Sequence, residues 1–268
     1  MRKLVESDIT NWIKNQKMKK VKIHSNCYFH FTDRNRIWDG VITDNSLVIN
    51  NDDNGVNRIY FFTSEFGDLC ELLSKELDPK KEYLIDIITK DKLLYNKELA
   101  SAGFEYMTSM KRMSNRDISE IMNGDSSIGC FENEHLGQKA TELDAEAIKS
   151  KLWEIFDTRI SHLPNLYGVK EGIRNGEYIV YKDQTSDILA LLQRIVKPSS
   201  FYINQIYNET DRRVIHSILL NELRTYYNQG GRYVYAWVEE TNRASLKFHE
   251  KYGMQPDGLV DIIYRKEA

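Results

Sequence analysis

The run Asn242-Arg-Ala-Ser245-Leu-Lys-Phe-His249-Glu-Lys-Tyr-Gly-Met254 sets an amide, a hydroxyl and an imidazole at helical spacing. Asn242 is of a type that caps the helix it opens. Ser245 falls about one turn on and His249 about one turn further. An imidazole titrates near neutral pH and can pass a proton. Upstream, Glu239 and Glu240 close one apolar run and Glu209 follows another. A carboxylate at such a strand end can take a proton from an attacking group, directly or through water. Between them, Asp211-Arg-Arg-Val-Ile-His216-Ser217 leads into a helical pattern. A helix start offers unpaired N–H donors and the positive end of a dipole. Arg212 and Arg213 can add charge-assisted bonds there. The chemistry these residue types offer is proton transfer. Every one of these residues also has a plainer reading, as a solvated acid, a surface arginine pair, a packed helix-face histidine or a small packing serine.

Other chemistries find no pattern. The six histidines, at 24, 30, 135, 162, 216 and 249, show neither H-x-x-x-H nor H-E-x-x-H spacing, so no metal is expected. Cys27, Cys70 and Cys130 are odd in number, lack C-x-x-C spacing and read as reduced thiols. No G-x-G-x-x-G, phosphate-binding Walker loop or G-x-S-x-G occurs. A net charge of −3 argues against a broad nucleic-acid surface. The longest apolar stretch, Ile188–Leu192, is far too short to span a bilayer, and the N-terminal twenty residues hold no apolar signal core. The expectation is a cytoplasmic chain, monomer or homodimer, with neither membrane nor nucleic-acid partners.

The elements that would position these residues occur twice. Subtracting 150 lays Arg232–Glu240 on Glu82–Lys90, two apolar runs of strand length. Leu219, Leu223 and Tyr227 fall on Leu69, Leu73 and Leu77, one face of a helix in each half. Gly253 falls on Gly103, each suited to a left-handed helix C-cap. A final strand follows each glycine. Upstream, Asn54-Gly55 marks a hairpin. In the second half a helix from about Asp144 precedes three strands, "EYIVYKD", "ILALLQRIV" and "FYINQIYN". Residues 114–137 read as a polar linker holding one short helix. The expected fold is α+β: two tandem domains, 1–125 and 126–268, each a mixed, mostly antiparallel sheet flanked by helices.

That order, with Asn242, Ala244, Ser245, His249, Glu250, Lys251, Gly253 and Met254 in one phrase, resembles the GNAT superfamily of acyl-CoA-dependent N-acyltransferases. The resemblance covers about residues 140–268, and the first half is a weaker echo. It implies an N-acetyltransferase moving an acyl group from acetyl-CoA to a small-molecule or peptide amine, with the first domain degenerate. By position, the strand backbone at Gln205, Ile206 and Tyr207 would hold the pantetheine arm and stabilise the oxyanion. Arg212, Arg213, Val214, Ile215, His216 and Ser217 would hold the pyrophosphate, and Asn242 and Ser245 would contact the cofactor. His249 stands where the family often has a tyrosine acid, and Glu239 is a candidate base. The pyrophosphate loop lacks the glycines of Gln/Arg-x-x-Gly-x-Gly/Ala, and Val214 and His216 are expected to crowd it. In the first half, Ser64–Asp68 covers the same step with about six residues fewer. Two rivals are a non-catalytic binding protein of the same fold, favoured by the glycine-free loop, and an aminoacyl-tRNA-dependent transferase. Negative charge and the lack of a basic arm leave the latter without support.

Overall fold

The structure, a computed structural model, describes residues 1–27, 37–123 and 136–268. Cys130, His30, His135 and part of the expected linker lie outside the described residues. The chain forms two compact units. The expected single boundary near residue 125 would give consecutive halves. The units interleave instead.

The first unit comprises Met1–Ser109, Thr158–His162 and Val260–Ala268. It contains β1 (Arg2–Leu4), α1 (Glu6–Met18), β2 (His24–Ser25), β3 (Trp38–Ile42), β4 (Ser46–Asp53), β5 (Val56–Thr63), α2 (Phe66–Glu76), β6 (Tyr83–Thr89) and α3 (Asn96–Ser101). Its strands run in the order β1, β3, β4, β5, β6, followed by the last strand of the chain. The β4–β5 hairpin turns at Asn54 and Gly55, both with positive φ, as expected. Strand alternation sends Val48, Phe61, Ile85 and Ile87 to one face, against Leu69 and Leu73 of α2. Leu47, Ile49 and Tyr60 go to the other, against Ile9 and Trp12 of α1.

This unit also buries a charge network. Arg58 is fully buried and donates to both carboxylate oxygens of Asp86, at 3.0 and 2.8 Å. It also donates to Asp53 and to the carbonyls of Thr158 and Arg159. His162 lies 3.0 Å from Asp53 and 3.5 Å from Asp86. Burial opposes its charge, but the bonds to Asp53 and Asp86 prevail and raise its pKa to about 9. Burial, then the charge of Asp86, push Asp261 up to about 7. Both folded pKa values exceed the unfolded ones, so both contributions to stability are complete at low pH and fade as pH rises. For Asp261 the window is about 4 to 7, and for His162 about 6.5 to 9. The melting temperature is expected to fall between pH 6.5 and 9, and to fall less in His162→Gln. A wild-type slope retained in that variant would remove His162 as its source.

The second unit comprises Met110–Asp157 and Leu163–Leu259. It contains most of β7 (Glu105–Asn115), then α4 (Ser119–Asn123), β8 (Gln138–Lys139), α5 (Ala145–Ile155), α6 (Leu166–Arg174), β9 (Tyr178–Lys182) and β10 (Ile188–Lys197). β11 (Ser200–Asn208), α7 (Arg212–Asn228), β12 (Val234–Glu239), α8 (Arg243–Glu250) and the start of β13 (Gln255–Lys266) complete it. Its strand order is β7, β12, β11, β10, β9, β8. One face packs on α7 through Phe201, Ile203, Leu219 and Leu223. The other packs on α5 and α6 through Val180, Leu191, Ile148 and Val169.

The duplication at 150 residues holds for the last four elements of each half, α2, β6, α3 and β7 against α7, β12, α8 and β13, with one exchange. Gly103 and Gly253 both have positive φ, and Phe104 N–H and Met254 N–H each reach back to a carbonyl five residues earlier. The last strand of each half, however, completes the other unit's sheet. Val260–Lys266 of β13 pairs antiparallel with β6, while Met110–Asn115 of β7 pairs antiparallel with β12. The pairs Leu84↔Arg265 and Val234↔Asn115 are the same pair shifted by 150 on each strand. Because β7 and β13 occupy equivalent places in the repeat, local pattern does not distinguish the two partners.

Candidate functional site

In the second unit, β11 and β12 run parallel through only three pairs, Phe201↔Val234 to Ile203↔Ala236. β11 then continues to Asn208 and β12 to Glu239 outside that ladder. The cause is local. Gln193 and Arg194 of β10 face Gln205 and Ile203, so Asn204 is an extra residue in β11. Such a bulge bends the strand and shifts the side-chain alternation. Phe201 and Ile203 accordingly face α7, while Tyr207 faces α5 and α6. Gln205, Ile206 and Tyr207 lie on the opened stretch. Their backbone is extended and lacks a β12 partner in the ladder.

The chain then turns within three residues into α7. Asn208 and Thr210 brace the turn by reciprocal bonds of 2.9 and 2.8 Å. The sequence predicts a loop running to Ile218, but Arg212–Ile218 are the first turns of the helix. The length that α7 has over α2, 17 residues against 11, is helix and not loop. The cause is the Asp211 N-cap, whose carboxylate accepts from Arg213 N–H at 2.9 Å, followed by apolar residues at helical spacing. No residue from 208 to 217 has positive φ, so the turn needs no glycine. Val214 and His216 do not crowd the helix start either. Val214 joins the α7 core, and His216 stacks on Phe248 and bonds the Tyr252 hydroxyl at 2.7 Å. Ile215 and Ser217 are buried too. Arg212 and Arg213 remain exposed, with Arg213 paired to Asp211 at 3.0 Å.

The α8 residues form a chain of their own. The Asn242 side chain accepts from Ser245 N–H at 3.0 Å and caps the helix. His249 is buried, and its Nδ1 lies 2.8 Å from the Ser245 carbonyl, to which it donates as N–H. Nε2 then carries the lone pair, buried without a partner. Burial lowers the pKa of His249, which keeps the ring neutral near pH 7. It is therefore set up to accept a proton at Nε2 before it can give one. Glu239 is half-buried at the end of β12, and its carbonyl accepts from Asn242 N–H.

Lys151, which sequence reasoning did not single out, bridges α5 to the opened strand. Its ammonium donates to the Tyr207 hydroxyl at 2.9 Å and lies 3.3 Å from Glu209. Hydrogen bonding from Tyr207, and then from Lys151, holds Glu209 below the usual carboxylate range. No local signal marks such a pairing across 58 residues.

The first unit opens in the same way but is already filled. β5 and β6 pair only through Asn57↔Tyr83 and Arg58↔Leu84 before β5 runs on to Thr63 and α2. Here β2 lines the freed edge, with His24↔Thr63 and Ser25↔Phe62. The buried Asn26 side chain donates to the carbonyls of Ile59 and Asp86, at 2.9 and 3.1 Å, and accepts from Phe61 N–H at 2.7 Å. His24 and Tyr95 share a 2.7 Å bond and pack against Phe66, the first residue of α2. An amide arm would need these same backbone groups, and an anion would need that same helix start.

No protein-family model and no curated protein matches the sequence. Solved structures do match by shape. A GCN5-related N-acetyltransferase from Sphaerobacter thermophilus superposes with a TM-score of 0.58 at 13% identity, covering 83% of this chain and 76% of that one. A GNAT-family acetyltransferase from Colwellia psychrerythraea gives 0.52 at 13% identity over the whole of both chains. A tandem GNAT protein from the clavulanic acid biosynthesis pathway gives 0.52 at 10% identity, covering 86% and 79%. The α+β architecture, a mixed sheet with flanking helices, is thus that of the GNAT fold. Among the described residues no helix is long and apolar enough to cross a membrane.

Proposed function

We propose that the chain is a tandem GNAT-like N-acyltransferase of the cytoplasm, moving an acetyl group from acetyl-CoA to a primary amine in its second unit. The observation that carries this reading is the opened β11–β12 pair running directly into the capped start of α7. An amide arm laid along Gln205–Tyr207 pairs with free backbone groups much as an added strand would. The pyrophosphate lies at the first turn of α7, near Arg212 and Arg213. The neutral amine attacks the thioester carbonyl, and its proton passes to a carboxylate, with Glu239 better placed as a base than the stabilised anion Glu209. The departing thiolate, with an ordinary pKa of about 8.5, needs little help from an acid. His249 serves as a relay at Nε2 rather than as a ready-made acid.

Acetyl-CoA at millimolar concentration is expected to raise the melting temperature, and adenosine is not. Asp211 supplies a sharper test. Its carboxylate sits at the helix start and repels a pyrophosphate, so Asp211→Asn keeps the cap while removing the charge. Acetyl-CoA is then expected to bind several-fold more tightly, since a neighbouring charge at an exposed helix end is worth about 0.3–1 kcal/mol. Unchanged or weaker binding would place the phosphates elsewhere. The same carboxylate favours the second reading, a binding protein that has kept the fold and given its anion site to its own side chain.

A further inference from the structure

Three cross-strand neighbours in the second unit form a buried polar row. Tyr178 of β9 pairs with Gln193 of β10, and Gln193 pairs with Gln205 of β11. They are 1, 6 and 5% exposed, yet the Tyr178 hydroxyl, Gln193 Oε1 and Gln205 Oε1 all lack a hydrogen-bond partner. The adjacent row, Val180, Leu191 and Tyr207, belongs to the core beneath α5 and α6, which fixes the face on which the polar row lies. A buried polar atom without a partner gives up its bonds to water and gains none in return. Three on neighbouring strands, where leucine or phenylalanine would fit, are a concentrated cost that folding alone does not explain. α6 holds the row in place, since a side chain at Gly172 would come within 2.6 Å of the Tyr178 ring.

The row begins at Gln205, the first residue beyond the bulge, where β11 has left β12. It therefore leads sideways from the point where a thioester would lie. Across two strand spacings it spans roughly 10 Å. Its amide oxygens only accept hydrogen bonds, and the phenol both donates and accepts. Burial keeps that phenol protonated by pushing its pKa well above the usual value. The matching ligand is uncharged along the row and carries several donors. We propose that Tyr178, Gln193 and Gln205 form the acceptor subsite of the transferase described above, and that the acceptor is a polyhydroxylated primary amine rather than an alkyl amine. This rests on the acyltransfer reading. In the reaction the amine lone pair forms the N–C bond, the C–S pair leaves with sulfur, and the amine proton ends on the thiol.

The test measures melting temperature of the full chain with glucosamine and serinol, with butylamine and cyclohexylamine, and with sorbitol as a control for hydroxyls alone. A rise with at least one hydroxylated amine, absent with the alkyl amines and sorbitol, is expected. Tyr178→Phe and Gln193→Leu each remove an unpartnered atom. Both are expected to melt at or above the wild-type temperature, to weaken the amine response at least tenfold and to leave the acetyl-CoA response unchanged. Variants that respond like the wild type, or that melt lower while keeping the response, would show that these atoms serve the fold and would overturn the proposal. So would a wild type that answers none of the hydroxylated amines while still binding acetyl-CoA. A wild type that fails with acetyl-CoA itself would instead overturn the acyltransfer reading.

Discussion

Arg58→Ala is expected to lower stability by about 3–5 kcal/mol, the usual consequence of removing one partner of a buried ion pair. The substitution strips Asp86, itself 1% exposed, of two direct hydrogen bonds and leaves an uncompensated charge inside the first unit. It also frees the carbonyls of Thr158 and Arg159, which hold the 158–162 segment against that unit. His162 gives only partial compensation, because two-fifths of its side chain meets solvent. The double variant Arg58→Met with Asp86→Leu is expected to recover much of the loss, since it removes both charges at once. Denaturant unfolding checks both. A loss below about 1 kcal/mol for Arg58→Ala, the scale of an exposed pair, would show that the network is solvated.

The second large effect concerns Asn26. Its amide satisfies Phe61 N–H and the carbonyls of Ile59 and Asp86 with one side chain. Asn26→Ala leaves these backbone groups facing a gap, each at a cost of about 1–3 kcal/mol if water does not reach it. A fall in stability of about 2–4 kcal/mol is expected, and Asn26→Asp is expected to recover less than half, because a carboxylate keeps the acceptor but loses both donors. The loss should appear as faster hydrogen exchange at Phe61. An Asn26→Ala protein with wild-type stability would mean that β2 does not hold the freed edge of β5.

Much of the fold was legible because its evidence is local and repeated. Apolar runs of strand length at Glu82–Lys90 and Arg232–Glu240, the Leu69–Leu73 stripe and the capping glycines mark real strands, helices and caps, although α2 ends at Glu76 and leaves Leu77 extended just beyond it. The exchange of β7 and β13 was not legible, since both strands satisfy either partner equally in pattern and register. At the site, Asn242 reads correctly as a cap, because N-capping depends on residue type and immediate neighbours alone. The glycine-free loop misled because an Asp cap makes a tight entry into α7 with ordinary backbone angles. Gln193 and Gln205 carried a visible signal, an amide in the middle of each apolar run. Their adjacency, however, depends on a bulge at Asn204 that only the paired strands reveal. Lys151 and Asn26 act across long sequence separations, where composition gives no hint of a partner.

The two units open alike, and in the proposed reading only the second takes a cofactor. Isothermal titration of the full chain with acetyl-CoA distinguishes them. One molecule bound per chain, with Asp211→Asn tightening that single site, is the predicted result. Two molecules per chain would contradict the filled groove of the first unit, and none would contradict the open groove of the second.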